Sequence, residues 1–217
     1  MKKHNYLILD TEFITINHKK LVYCMAFMVV DNYNNIKTSY QYFINDIIKH
    51  YHINMKRYNN SNIKAVSYQY IDNLISNLIK DYDIKGFISH NAIVDRIALN
   101  NTSILIMNKV SSFTSSKWYC TYRMALKSIC QYKTYKSYTI KGNKRATLES
   151  LYNYINNDDV KQDHIPLNDC LKCYTLYIKI KHSHKIGMIS VWYHFSYFNF
   201  VFSVEFVKIF TWDNHPT

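Results

Sequence analysis

Glycine and proline are nearly absent, at three and two residues in a chain of 217. A Gly- or Pro-rich linker is thereby excluded, and the turns fall to other residues. Asparagine takes that work in Asn32–Asn35, Asn59–Asn62 and Asn156–Asp159. Acidic residues are also scarce, 15 Asp and Glu against 27 Lys and Arg, a formal net charge of +12. A chain this basic meets polyanions, nucleic acid before membrane surfaces. The five cysteines are an odd number. Only Cys170 and Cys173 form a Cys-x-x-Cys, with no second pair and no His pair nearby, which argues against a zinc site. All five read as reduced thiols of an intracellular protein. Met1–Asn5 lead straight into a strand, without the apolar stretch and cleavage site of a secretion signal. The expected location is therefore cytoplasm or nucleus.

What is present is an α/β pattern. Residues 5–9, 21–30 and 36–44 read as an antiparallel meander, the second strand apolar throughout. From 65 the period changes: Ile71, Leu74, Ile75, Leu78 and Ile79 recur at helical spacing. Strands at 84–89 and 117–121 then alternate with helices at 92–100, 122–130, 147–156 and 166–181. The expected fold is a five-stranded sheet of mixed direction, an antiparallel meander followed by parallel strands, flanked by helices.

The scarce carboxylates fall at particular places. Asp10 and Glu12 end the apolar run Tyr6–Leu9, and alternation puts them on one face of the strand. Two like charges on one face repel unless a cation lies between them; a strand end fraying into solvent also accommodates acids. Asp95 lies one turn inside a helix that Asn91 is suited to cap with its side chain. There it gains from the helix dipole, and it also hangs at a strand end, where ligands gather in α/β sheets. Pro166 suits the first turn of another helix. His164 precedes it and Asp169 lies in its first turn.

Together, Asp10-Thr11-Glu12, His90-Asn91-Ala92-Ile93-Val94-Asp95, and His164 followed five residues later by Asp169 resemble the three ordered motifs of the DEDDh (DnaQ-like) 3′→5′ exonucleases. Cys120-Thr121 and Thr147–Leu151 are lesser echoes, and the likeness covers about residues 5–181. Val94, Ile165-Pro166 and Cys120 depart from the family pattern without removing a catalytic group.

The resemblance implies a ribonuclease H-like fold over residues 1–182, with 183–217 an aromatic-rich tail. It implies hydrolysis of DNA or RNA from a 3′ end to nucleoside monophosphates, with two Mg²⁺ ions, for which Mn²⁺ substitutes. Asp10 would bridge both ions, Glu12 and Asp169 would hold the one beside the attacking water, and Asp95 would act on the other. His164 would be the general base, since an imidazole titrates near neutrality. Thr11, through its backbone, and the Phe13 ring would contact the terminal nucleotide, with His90 and Asn91 beside them. Core packing is the competing role for Phe13. The other reading of the whole chain is a nuclease-fold protein that binds nucleic acid with little or no turnover. The presence of all five catalytic residue types argues against it.

Residues 131–145 carry five cations, Lys133, Lys136, Lys141, Lys144 and Arg145, and three tyrosines, without an acid. This suits single-strand backbone tracking and base stacking; a solvated loop is the plainer alternative. Residues 187–204 contain no Asp, Glu, Lys or Arg. Serines, His194 and Asn199 interrupt the run, and its aromatics favour strand. A packed strand or arm, or a surface for a protein partner or second copy, is expected ahead of a membrane anchor.

Overall fold

The structure is a computed structural model that describes residues 4–31, 33, 35–54, 58, 63–111, 113–114, 116–140, 146–161 and 164–196, with backbone only for 137–140 and 182–196. Three long strands open it: β1 (Asn5–Ile16), β2 (Lys19–Asp31) and β3 (Ile36–Ile44). Next come α1 (Asn45–Tyr51), β4 (Lys64–Val66), α2 (Tyr68–Asp81), β5 (Ile84–Ser89) and α3 (Ala92–Met107). The described elements continue with β6 (Trp118–Cys120), α4 (Thr121–Leu126), α5 (Lys133–Ile140), α6 (Leu148–Asn156) and α7 (Pro166–Ser196). The six strands lie in the order β4-β3-β2-β1-β5-β6. β1–β2 and β2–β3 pair antiparallel; β1–β5, β5–β6 and β3–β4 pair parallel. This is the mixed ribonuclease H-like sheet expected, with one strand more: β4 is a three-residue edge strand, too short to show a period.

β1 has a partner on each side, which explains its apolar first half. Leu7, Ile8 and Leu9 are fully buried. Leu7 and Leu9 pack with Ile71, Ile75, Ala98 and Leu99 on one face of the sheet. Ile8 packs with Leu148, Leu151, Cys170, Cys173 and Leu176 on the other. β2 is buried on both faces, in keeping with its unbroken apolar sequence. All five cysteines are free.

The lack of glycine shows in the turns. The β1–β2 hairpin turns on Asn17 (φ 47°) and His18 (φ 62°), both left-handed, as a two-residue turn between twisted strands requires. Asn108 and Asn157 likewise end α3 and α6 in the left-handed region. Gly86 is a glycine for reasons of space: a Cβ there would lie 2.8 Å from the Tyr119 ring.

Three local expectations are corrected. Asn91 precedes α3, but its side chain makes no capping hydrogen bond; the Val94 and Asp95 amides bond its backbone carbonyl instead. Residues 133–140 form a helix, not a loop. The charge-free run does not begin as a strand: α7 continues to Ser196, and residues 197–204 lie outside the described residues. No described helix is long and apolar enough to cross a membrane.

Candidate active site

The C-terminal half of β1 brings the acids together. Asp10 and Glu12 pair opposite Ala26 and Cys24 of β2. At Glu12 the register slips: Phe13 pairs with Val22, leaving Tyr23 as an extra residue. Such a bulge bends the strand and re-aims the side chains beside it. Asp169 stands in the first turn of α7, which packs against β1, and is 1% exposed. Asp95 stands in the first turn of α3 and is 5% exposed.

These carboxyl groups act on one another through their charge. Burial pushes the Asp10 carboxyl well above the usual carboxylate range, and the charges of Asp95, Asp169 and Glu12 add to it, while Lys172 pulls the other way. Burial pushes Asp95 up to about 6, against hydrogen bonds that favour its ionised form. The bonds come from both neighbouring strands: Thr11 Oγ1 donates to Asp95 Oδ1 at 2.6 Å, and the Ser89 hydroxyl donates to Oδ2. Thr11 is thus turned away from Asp10 and Glu12 and spends its side chain on orienting a third acid.

His164 stands just before α7 in the left-handed region (φ 54°), which His tolerates better than most residues. Its side chain is 57% exposed, with Nδ1 3.7 Å from Glu12 Oε1. One ligand atom each from Glu12, His164 and Asp169 lies within 4.8 Å of the others. Tyr58, 4% exposed, donates from its hydroxyl to the His164 carbonyl at 3.3 Å and so braces the loop.

His90 is arranged differently. Nε2 is 2.9 Å from the Ala146 carbonyl and Nδ1 3.1 Å from Thr121 Oγ1. A carbonyl only accepts, so Nε2 carries the proton and Nδ1 accepts from the threonine. Burial lowers the imidazole pKa to about 4. The ring is engaged within the protein, while Asn91 beside it is exposed. Phe13 packs at the margin of the core with Lys20 Nζ 4.0 Å from its ring centre. Lys133 and Lys136 are exposed on α5; Lys141, Lys144 and Arg145 lie outside the described residues. Tyr135, from the same segment, is 1% exposed and packs edge-on against Tyr154, so it is core and not a stacking platform.

Lys172 escaped the sequence reading. It is 8% exposed, with Nζ 3.3 Å from Asp169 Oδ1 one helical turn away. The only signal in the sequence is the spacing: an acid and a lysine at i, i+3 share a helix face, but which face turns inward is set by packing. Tyr58 and Ser89 carried no such signal, because their partners are distant in sequence or fixed only by the packing of α3.

The donor set suits a hard divalent cation. Carboxylates from β1, α3 and α7 converge, with one buried lysine beside Asp169; hard cations prefer carboxylate oxygen.

No family model matches this chain, and no curated protein does. Among solved structures it is similar to the crystal structure of E. coli Exonuclease I in complex with a dT13 oligonucleotide. The likeness has a TM-score of 0.54 at 11% identity, over 82% of this chain, and spans 41% of the length of that one. At that identity the likeness is one of fold.

Proposed function

We propose that this chain is a divalent-cation-dependent exonuclease that hydrolyses DNA or RNA from a 3′ end and releases nucleoside monophosphates. The observation that carries the reading is the meeting of Glu12, His164 and Asp169, one ligand atom of each within 4.8 Å of the others, beside Asp10 on the same strand as Glu12, whose carboxyl feels the charges of Asp95, Asp169 and Glu12. The net positive charge and the fold shared with Exonuclease I support it.

Asp10, Glu12, Asp95 and Asp169 would hold the cations, which when bound neutralise the scissile phosphate and ease departure of the 3′ oxygen. The rest falls to the chain. Thr11 and Ser89 hold the Asp95 carboxylate ionised and oriented. Lys172 moderates the repulsion while the acids face one another without a cation. His164, its Nδ1 side turned to Glu12, takes the proton of the attacking water on Nε2 as the new phosphorus–oxygen bond forms and the bond to the 3′ oxygen breaks.

The test is purified protein with Mg²⁺ or Mn²⁺ on single-stranded and duplex DNA and RNA labelled at either end. A 3′ label should leave as a mononucleotide and a 5′ label should give a shortening ladder. Closed circles should survive, and Asp10→Asn should cleave nothing while still binding single strands. Cleavage retained in Asp10→Asn, or nicking of a circle by the parent alone, would overturn the reading.

A further inference from the structure

Beside the carboxylates, on the outer edge of the sheet, lies a groove of about 510 Å³ between the start of α3, strand β6 and helix α4. Arg96 on α3 and Arg123 on α4 stand on opposite walls, and no acid among the described residues lines it. Both arginines are exposed, and among the described residues neither makes a salt bridge. Between them the surface is apolar and aromatic: Ile93, Ile97, Trp118, Tyr119 and Met124. Ile93 and Ile97 are about half exposed, at 46% and 49%. Lys117 adds a third cation at the margin, with Nζ 4.9 Å from the Tyr119 ring centre.

The groove is tied to the acidic cluster through the backbone. Ser89, which donates to Asp95, pairs with Cys120 of the groove wall. Cys120 Sγ and the Tyr122 amide both bond to the His90 carbonyl. Asp95 and Arg96 are consecutive on α3, one facing inward to the cluster and the other outward.

Two guanidinium groups across a floor of aromatic and aliphatic side chains match a polyanion that carries planar rings. Guanidinium binds phosphate in a fork, and ring faces take bases of any identity. A protein partner would find the apolar floor but no acid to complement and two cations to desolvate. We propose that this groove is a second nucleic-acid subsite, in which Arg96 and Arg123 hold phosphates of the substrate strand upstream of its 3′ end. This rests on the function proposed above, and it makes α3 the element that joins the strand's path to the acids.

The test is binding without cleavage. Parent and Arg96→Ala/Arg123→Ala protein are titrated with labelled oligothymidylate and oligouridylate in chelator, over a range of salt. Each phosphate contact on a single strand contributes about 0.7 to the slope of log affinity against log salt. The double variant should therefore lose about 1.4 of that slope and at least roughly 10-fold in affinity at low salt. Losing DNA and RNA binding equally is expected of phosphate contacts. Arg96→Lys/Arg123→Lys keeps the charge and should recover the slope; if it does not, the alanine variant has lost its fold and the proposal falls. An unchanged slope in the alanine variant, or a parent that binds neither oligonucleotide, also overturns it. The groove is thus tested separately from catalysis: a parent that binds with the expected slope but cleaves nothing would sink the nuclease reading and leave the strand-binding groove standing.

Discussion

Lys172 Nζ lies 3.3 Å from Asp169 Oδ1, both side chains nearly out of solvent, one turn apart on α7. Its charge opposes those of Asp95, Asp169 and Glu12 at the Asp10 carboxyl. Lys172→Met should therefore destabilise the protein in chelator at neutral pH. The loss should be about 3 kcal/mol, at the low end for breaking a buried pair because Asp10 can take up a proton. Saturating Mg²⁺ should narrow the gap, since it supplies the missing charge. Denaturant melts with chelator and with Mg²⁺ check this; equal loss in both would reduce Lys172 to a packing residue.

Asp95 and His90 should bend the stability–pH curve in opposite directions. The folded Asp95 titrates near about 6, against roughly 3.9 unfolded. Its contribution is full below pH ~4 and is lost as pH rises through about 6, where the folded state must release a proton it held more tightly. His90 titrates near about 4, against ~6.5 unfolded. Its contribution is present above pH ~6.5 and lost as pH falls toward about 4. In chelator, the parent minus Asp95→Asn difference should fall by about 3 kcal/mol between pH 4 and 7, and the parent minus His90→Gln difference should rise by about as much. Parallel curves for parent and either variant would remove that group from the account.

Thr11→Val keeps the shape of the side chain and deletes the 2.6 Å hydrogen bond to Asp95. The Asp95 carboxyl should then be harder to ionise and less well oriented. Metal affinity should fall about 10-fold, at the modest end for a residue that orients a ligand. Calorimetric titration with Mn²⁺ at pH 7 gives the number. An affinity equal to the parent's would mean that Ser89 alone suffices.

His164→Ala should lower the maximal rate by roughly 10²–10⁴-fold. Metal affinity should stay near the parent's. Weakened Mn²⁺ binding in His164→Ala would instead make the histidine the third ligand of the group that it forms with Glu12 and Asp169.

Much of the molecule was legible in the chain itself, for physical reasons. The unbroken apolar run of β2 and the alternation through Asp10, Thr11 and Glu12 are local signals, because burial and strand pleat act residue by residue. So are the helical spacings of α2, α6 and the first turns of α7. Four carboxylates and a histidine could be picked out because acids are scarce here and three spaced motifs carry them. Only tertiary structure decided how those residues serve one another. That Thr11 orients Asp95, that Lys172 sits among the acids, and that Tyr58 braces the His164 loop all depend on contacts between segments far apart in sequence or on which helix face is buried. The same holds for His90, whose ring is engaged with Thr121 and Ala146, and for Tyr135, which composition placed on the surface and packing put in the core. A side chain's neighbours across a sheet are set by register and by the helices laid over it, and neither can be read from the spacing of residues along one strand.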